Sequence, residues 1–158
     1  MQINLANTLL FRGMDPSDIE EMLGCLLAKE CTYKKGEILF PEGSPTEQIG
    51  VVLIGRVIIE LGDVWGNNSV LSSIGPGGIF AETYACIPGE PLMVNVTAAE
   101  DTEALLLNIR RVLEPCSKVC PYHVRLVRNL LALCAGKNLQ LSRRVLHTGP
   151  KSIRKRLL

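Results

Sequence analysis

Apolar residues in the last third of the chain fall into two rows at helical spacing. Val124, Val127, Leu131, Cys134, Asn138, Leu141 and Val145 follow one another at alternating steps of three and four, the a/d seam of a two-stranded coiled coil. Leu126, Leu130 and Leu133 form a second row beside the first. A continuous helix from Tyr122 to His147 would run ~39 Å, too long for one element of a small β-domain. Two rows imply two tasks: one faces a second copy of the chain, the other faces the chain's own domain. The polar Asn138 within the seam fits a dimer helix, because one polar seam residue fixes register and strand number. Gly136 is a weak point, costing ~1 kcal/mol relative to alanine.

The N-terminal third starts with a short helix. Asp15 and Pro16 suit its cap and first turn, and Ile19, Met22, Leu23 and Leu26 recur at helical spacing. From Cys31 the period changes to short apolar runs broken by glycine. The runs are Glu37–Phe40, Val51–Ile54, Val57–Leu61, Val70–Ile74, Met93–Ala98 and Thr102–Ile109. Short strands with turn signals at this spacing predict an antiparallel sandwich or barrel. Gly55-Arg56 and Gly66-Asn67-Asn68 read as hairpin turns. Arg110–Lys118 reads as a short helix interrupted by Pro115, and Thr148-Gly149-Pro150 as the stop of the long helix. The organisation expected is a β-domain over 1–120, a long helix over 121–148, and the start of a further helical element over 149–158.

With 47% hydrophobic and 4% aromatic residues, the core is built from Leu, Val and Ile. The net charge of +1 hides an asymmetry. Residues 1–142 hold 11 Lys/Arg and all 16 Asp/Glu, whereas residues 143–158 hold six basic residues and no acid. Such a tail points to an acidic partner, nucleic acid first, although Arg143 and Arg144 also suit a helix C-terminus. No apolar run reaches the ~20 residues of a membrane span, and the N-terminus lacks signal-peptide character, so a cytoplasmic protein without membrane attachment is expected. The six cysteines, at 25, 31, 86, 116, 120 and 134, are expected as thiols in that compartment.

The β-runs carry three local patterns: Lys35-Gly36-Glu37-Ile38-Leu39-Phe40-Pro41-Glu42-Gly43, Val51-Val52-Leu53-Ile54-Gly55-Arg56-Val57, and Gly77-Gly78-Ile79-Phe80-Ala81-Glu82 followed by Val94-Asn95-Val96-Thr97-Ala98. In this order and spacing, with the long helix behind them, they resemble the sensor half of CRP/FNR-family bacterial transcription regulators. The resemblance covers nearly the whole chain. It implies a mainly β fold with α elements: a double-stranded β-helix, or jelly roll, of the cyclic-nucleotide-binding type, with an N-terminal helix and a long C-terminal dimerisation helix. It further implies a homodimer, a winged helix-turn-helix beyond Leu158 through which DNA is bound, and RNA polymerase as a candidate partner.

Cyclic-nucleotide binders of this family present Gly-Glu at the start of the third pattern and Arg-Ser before its last strand; carboxylate and arginine hold ribose and phosphate. Here the first pair reads Ala81-Glu82 and the second falls at Leu92-Met93; nothing basic lies between Ile79 and Glu103. A phosphate placed there would meet an apolar wall and a carboxylate. Cyclic AMP is therefore not expected as ligand. Phe80, Ala81, Glu82, Thr83, Leu92 and Met93 form the candidate effector pocket, expected to take an uncharged or partly apolar small molecule. On the long helix Lys137 offers only a weak substitute cation. An alternative reading on the same fold is a redox or metal sensor using Cys25, Cys31, Cys116 and Cys120. An enzyme is not expected, since His123 and His147 lie at the two ends of the long helix and no catalytic set or metal cofactor site is suggested.

Overall fold

The computed structural model describes residue 5 and residues 8–62, 65–114 and 121–148 of the chain. Helix α1 (Pro16–Cys25) leads into strands β1 (Lys29–Tyr33), β2 (Ile38–Phe40), β3 (Gln48–Ile54), β4 (Val57–Gly62), β5 (Asn68–Ile74) and β6 (Ile79–Phe80). One helical turn, α2 (Glu82–Ala85), then precedes β7 (Asn95–Ala98), β8 (Thr102–Asn108), α3 (Ile109–Leu113) and the long α4 (Pro121–Thr148). The strands form two four-stranded antiparallel sheets, ordered β1-β8-β3-β6 and β2-β7-β4-β5. This is the jelly-roll sandwich expected.

In the first sheet β3 and β8 are buried on both faces, which explains why they read as nearly unbroken apolar runs. Val52, Ala104 and Leu106 point between the sheets, beside Phe40, Val57, Phe80, Leu92 and Val96. Ile49, Val51, Leu53, Leu105 and Leu107 point the other way, onto Leu10, Phe11, Ile19, Met22, Leu126 and Leu130. The chain thus has an inner core inside the roll and an outer core beneath the helices. Gly50, whose Cα faces Phe80 across β3 and β6, leaves room for that ring; a Cβ there would overlap it.

Two local expectations are corrected. Gly55-Arg56 is not a hairpin, because β3 and β4 belong to different sheets. It is the corner where the chain crosses between them. Gly55 turns it with φ +91°, a Cβ there would collide with the Asp101 carbonyl, and Thr102 Oγ1 bonds both the amide and the carbonyl of Arg56, at 3.2 and 3.1 Å. Asp15 stands at the α1 N-cap, but its side chain makes no capping bond; the Ile19 amide instead donates to its backbone carbonyl at 3.0 Å. The β4–β5 hairpin around Gly66 forms as expected, with Gly62 opposite Asn68. Of the expected helix over 110–118, the described part is α3; residues 115–118, together with Cys120, lie outside the described residues, as do residues 149–158.

The 28 residues of α4 span ~42 Å. Leu126 and Leu130, 0% and 3% exposed, dock the helix on the outer core, with Leu133 and Cys134 partly buried beside them. Each of the two leucines contributes ~1.5–3 kcal/mol of apolar burial. Polar ties register the helix: Asn129 Nδ2 donates to the carbonyls of Leu10 and Arg12 at 2.9 Å, and His123 Nε2 meets the Val112 carbonyl at 2.6 Å.

Candidate functional site

β6 ends on Phe80, and the chain turns sharply into α2. The turn is made by Ala81, which stands at φ +66°, a left-handed conformation that costs a non-glycine residue ~1–2 kcal/mol. This is the position at which the resemblance places a glycine. The turn carries Glu82 inward, leaving it 5% exposed.

The buried carboxylate is answered from the long helix. Lys137 Nζ lies 2.7 Å from Glu82 Oε1, and the same nitrogen donates to the Ile79 carbonyl at 2.7 Å. Lys137 follows Leu126, Leu130, Leu133 and Cys134 down the docking row, so the apolar stripe that seats α4 ends in a cation over the α2 turn. The Lys137 side chain is 41% exposed and that of Glu82 only 6%; the pair is open to solvent at its lysine end alone. Two thiols flank it. Cys86 caps the end of α2, its amide donating to the Glu82 carbonyl at 3.1 Å, and Cys134 sits one turn before Lys137. Burial, then the Glu82 charge, pushes both thiols above the usual cysteine range, and for Cys134 Lys137 pulls the other way.

Of the six residues expected to form an effector pocket, Phe80, Ala81, Glu82 and Leu92 are buried, whereas Thr83 and Met93 are exposed. Phe80 packs in the inner core with its ring centroid 5.8 Å from that of Phe40. Leu92 is buried too, its amide bonded to the Ser44 carbonyl at 3.0 Å and its carbonyl accepting from the Gly43 amide at 2.7 Å. Ala81 belongs to the same core. Thr83 is exposed, and Met93 is 67% exposed, because β7 starts only at Asn95 and Met93 lies on the loop before it. Open space lies beside these residues. One cleft of about 550 Å³ runs between the Gly75–Gly78 turn and α4, with Thr8, Leu133 and Lys137 in its walls. Another, of about 490 Å³, is walled by Phe40, Pro45, Gln48 and Leu92.

The seam positions divide. Val124, Leu131, Leu141 and Val145 are between 51% and 65% exposed, and Asn138 is exposed as well. Val127 and Cys134 are half-buried, and Cys134 leans on the outer core. An apolar stripe therefore runs along the outside of α4. For the cysteine-based alternative, Cys116 and Cys120 lie outside the described residues. Among the described residues no group of three or more His, Cys, Asp or Glu could hold a metal ion, and no helix is long and apolar enough to cross a membrane.

A jelly roll with a short helical turn between β6 and β7 and a long helix laid across it is the architecture of a cyclic nucleotide-binding domain. The chain belongs to the cyclic nucleotide-binding domain family, whose model matches residues 30–118. It is 26% identical over 104 residues to the CRP-like cAMP-activated global transcriptional regulator of Mycobacterium tuberculosis, covering 66% of this chain and 45% of that protein. It is 29% identical over 98 residues to the cyclic AMP receptor protein of Thermus thermophilus, covering 62% of this chain and 44% of that protein. The matches thus span under half the length of these relatives. A crystal structure of a cyclic nucleotide-binding domain from Methylobacillus flagellatus superimposes with a TM-score of 0.74 at 17% identity, covering 91% of this chain and 79% of the other; this likeness is one of fold.

Proposed function

We propose that the chain is the effector-sensing and dimerisation part of a CRP/FNR-type transcription regulator, and that its effector is not a cyclic nucleotide. The Glu82–Lys137 pair carries the reading. In a nucleotide-binding cassette the carboxylate is free for a ribose hydroxyl and an arginine is free for the phosphate. Here the carboxylate is already held by Lys137 at 2.7 Å, and the arginine's place is taken by Leu92, 2% exposed. A phosphate entering this turn would have to break an ion pair and then sit against leucine and carboxylate. An uncharged or partly apolar molecule pays neither cost. Because the pair joins the cassette to the helix that carries the exposed stripe, a ligand that favours one setting of α2 also favours one setting of α4, the population shift such a regulator needs.

The exposed Val124–Val145 stripe pairs in parallel with a second copy, and in a protein that joins this chain to a helix-turn-helix the dimer binds a near-palindromic site with half-sites about one helical turn apart. Titration calorimetry with cyclic AMP at millimolar concentration tests the effector reading: no saturable heat is expected. Saturable binding that disappears in Glu82→Ala would overturn it. Footprinting with the full-length regulator tests the rest, and protection of a single asymmetric half-site would reject the dimer geometry.

A further inference from the structure

We infer that the cleft between the Gly75–Gly78 turn and α4 is the effector site of the domain, and that it takes a neutral molecule with an apolar body and one carbonyl or amide group. This deepens the sensor reading above and rests on it. The cleft holds about 550 Å³, a size typical of small-molecule sites. Ile74 and Pro76 from the roll, Leu133 from the helix and the half-exposed Leu9 give it apolar walls. Packing does not call for Gly136 in α4. Glycine there costs ~1 kcal/mol relative to alanine, yet a Cβ would meet nothing within 4 Å. Gly136 lines the cleft, and a larger side chain at that position would take up its space. The cleft also lies clear of the seam. Leu133, Gly136 and Gln140 each stand two residues from Leu131 or Asn138, ~200° around the helix, so pairing through the seam leaves it open.

The polar groups of the cleft select the ligand. Lys137 Nζ spends one N–H on Glu82 Oε1 and one on the Ile79 carbonyl, both at 2.7 Å, which leaves its third for a ligand acceptor. Gln140 adds an exposed amide that can donate or accept. The glycine turn is no anion cradle, because the Gly77 amide donates to the Val52 carbonyl at 2.7 Å and the Gly78 amide to the Gly75 carbonyl at 3.0 Å. Lys137 and Glu82 cancel each other's charge, and among the described residues no further charged side chain lines the cleft. A carboxylate or phosphate would leave a net negative charge beside the buried Glu82, and an amine would face the ammonium. A neutral carbonyl accepts the third N–H and leaves the ion pair whole. Bound there, the molecule touches both the turn that leads into β6 and the helix that carries the seam, and ties the setting of one to the other without entering the roll.

The test titrates hexanamide at millimolar concentration into the isotope-labelled full chain and follows backbone amide shifts by NMR, with hexanoate and hexylammonium as charged probes of equal length. Saturable hexanamide shifts centred on Gly75–Ile79 and Leu133–Gln140 are expected, with both charged probes binding at least about tenfold more weakly. Gly136→Leu should fill the cleft and abolish the shifts while raising Tm, since leucine is the better helix former. Lys137→Met should weaken hexanamide roughly tenfold. Hexanamide shifts centred on Phe40, Phe80 and Leu92 would put the molecule inside the roll and overturn the inference. So would a lack of saturation, an equal response to hexanoate, or undiminished binding by Gly136→Leu. Cyclic AMP titrated into the same sample separates the two claims. Saturable cyclic AMP binding sinks the effector reading above, whereas failure of hexanamide alone leaves that reading standing and removes the cleft.

Discussion

Replacing Lys137 with methionine isolates the contact on which the site turns. Methionine keeps most of the apolar stem and removes the ammonium, so Glu82, with a side chain 6% exposed, loses its charged partner, and the Ile79 carbonyl loses a donor. Breaking a fully buried ion pair costs ~3–5 kcal/mol, and an exposed pair is worth ~0–1 kcal/mol. Lys137 is 41% exposed, so water can partly replace it, and the cost should fall between these limits at about 2–3 kcal/mol. For a chain of this length that is a Tm lowered by about 4–10 °C. Adding Glu82→Gln removes the charge that needs a partner, and the double variant should recover about 1–2 kcal/mol relative to the sum of the single losses. Urea unfolding followed by far-UV circular dichroism, at one fixed chain concentration because association shifts apparent stability, measures all four corners of the cycle. A Lys137→Met loss under about 0.5 kcal/mol, or strict additivity with Glu82→Gln, would refute the claim that this pair holds the cassette to the helix.

Leu131→Asp with Leu141→Asp, both on the exposed stripe, should yield monomers in sedimentation velocity without loss of helical signal; a wild-type chain already monomeric at tens of micromolar would count against the seam. Gly50→Ala drives a Cβ into the Phe80 ring and should cost at least about 1–3 kcal/mol in chemical unfolding; a neutral outcome would mean that the β3–β6 contact is looser than described. Tyr33 is pushed up to about 12 by burial first, then by the Cys31 charge, its hydrogen bond to Cys31 and the Glu37 charge. A phenol that ionises at about 10 when unfolded and higher when folded binds its proton more tightly in the native state. Its contribution to stability is complete below pH ~10 and is lost as pH rises towards 12. Ultraviolet titration should show a late tyrosinate step that Tyr33→Phe removes, and a titration complete by pH ~10.5 would contradict it.

Much of the fold could be read from periodicity, because β3 and β8 carry long apolar runs and α4 carries two rows that take up different surfaces. β1 escaped because Lys29-Glu30-Cys31-Thr32-Tyr33 alternates between exposed and half-buried positions with no fully buried residue; only its register on β8 makes it a strand. β6 and α2, at two and four residues, are shorter than any period a sequence can display. The corner at Gly55 looked like a hairpin because glycine marks a reversal without saying which sheet the next strand joins. In the site, Glu82 was legible from the cassette pattern, but its engagement by Lys137 was not, since the two are distant in sequence. A usable signal was present nonetheless: Lys137 continues the row of Leu126, Leu130 and Leu133, and a cation on a docking face calls for a buried carboxylate. Thr83 and Met93 were placed in the pocket by their neighbours in sequence, whereas the short α2 and the loop before β7 turn both outward.

Strands β3 and β8, buried on both faces, and the edge strand β5 open at different cost. Amide protons of β3 and β8 have no wet side from which to exchange, so their release into heavy water should require opening of the whole domain. β5 is a sheet edge paired only with β4, and its side chains are largely exposed; its amides should exchange through local fraying. Among the described strands, β5 can thus fray at little cost to either core. Any reshaping of the roll would be cheapest there, and isotope uptake confined to this edge strand would be its signature.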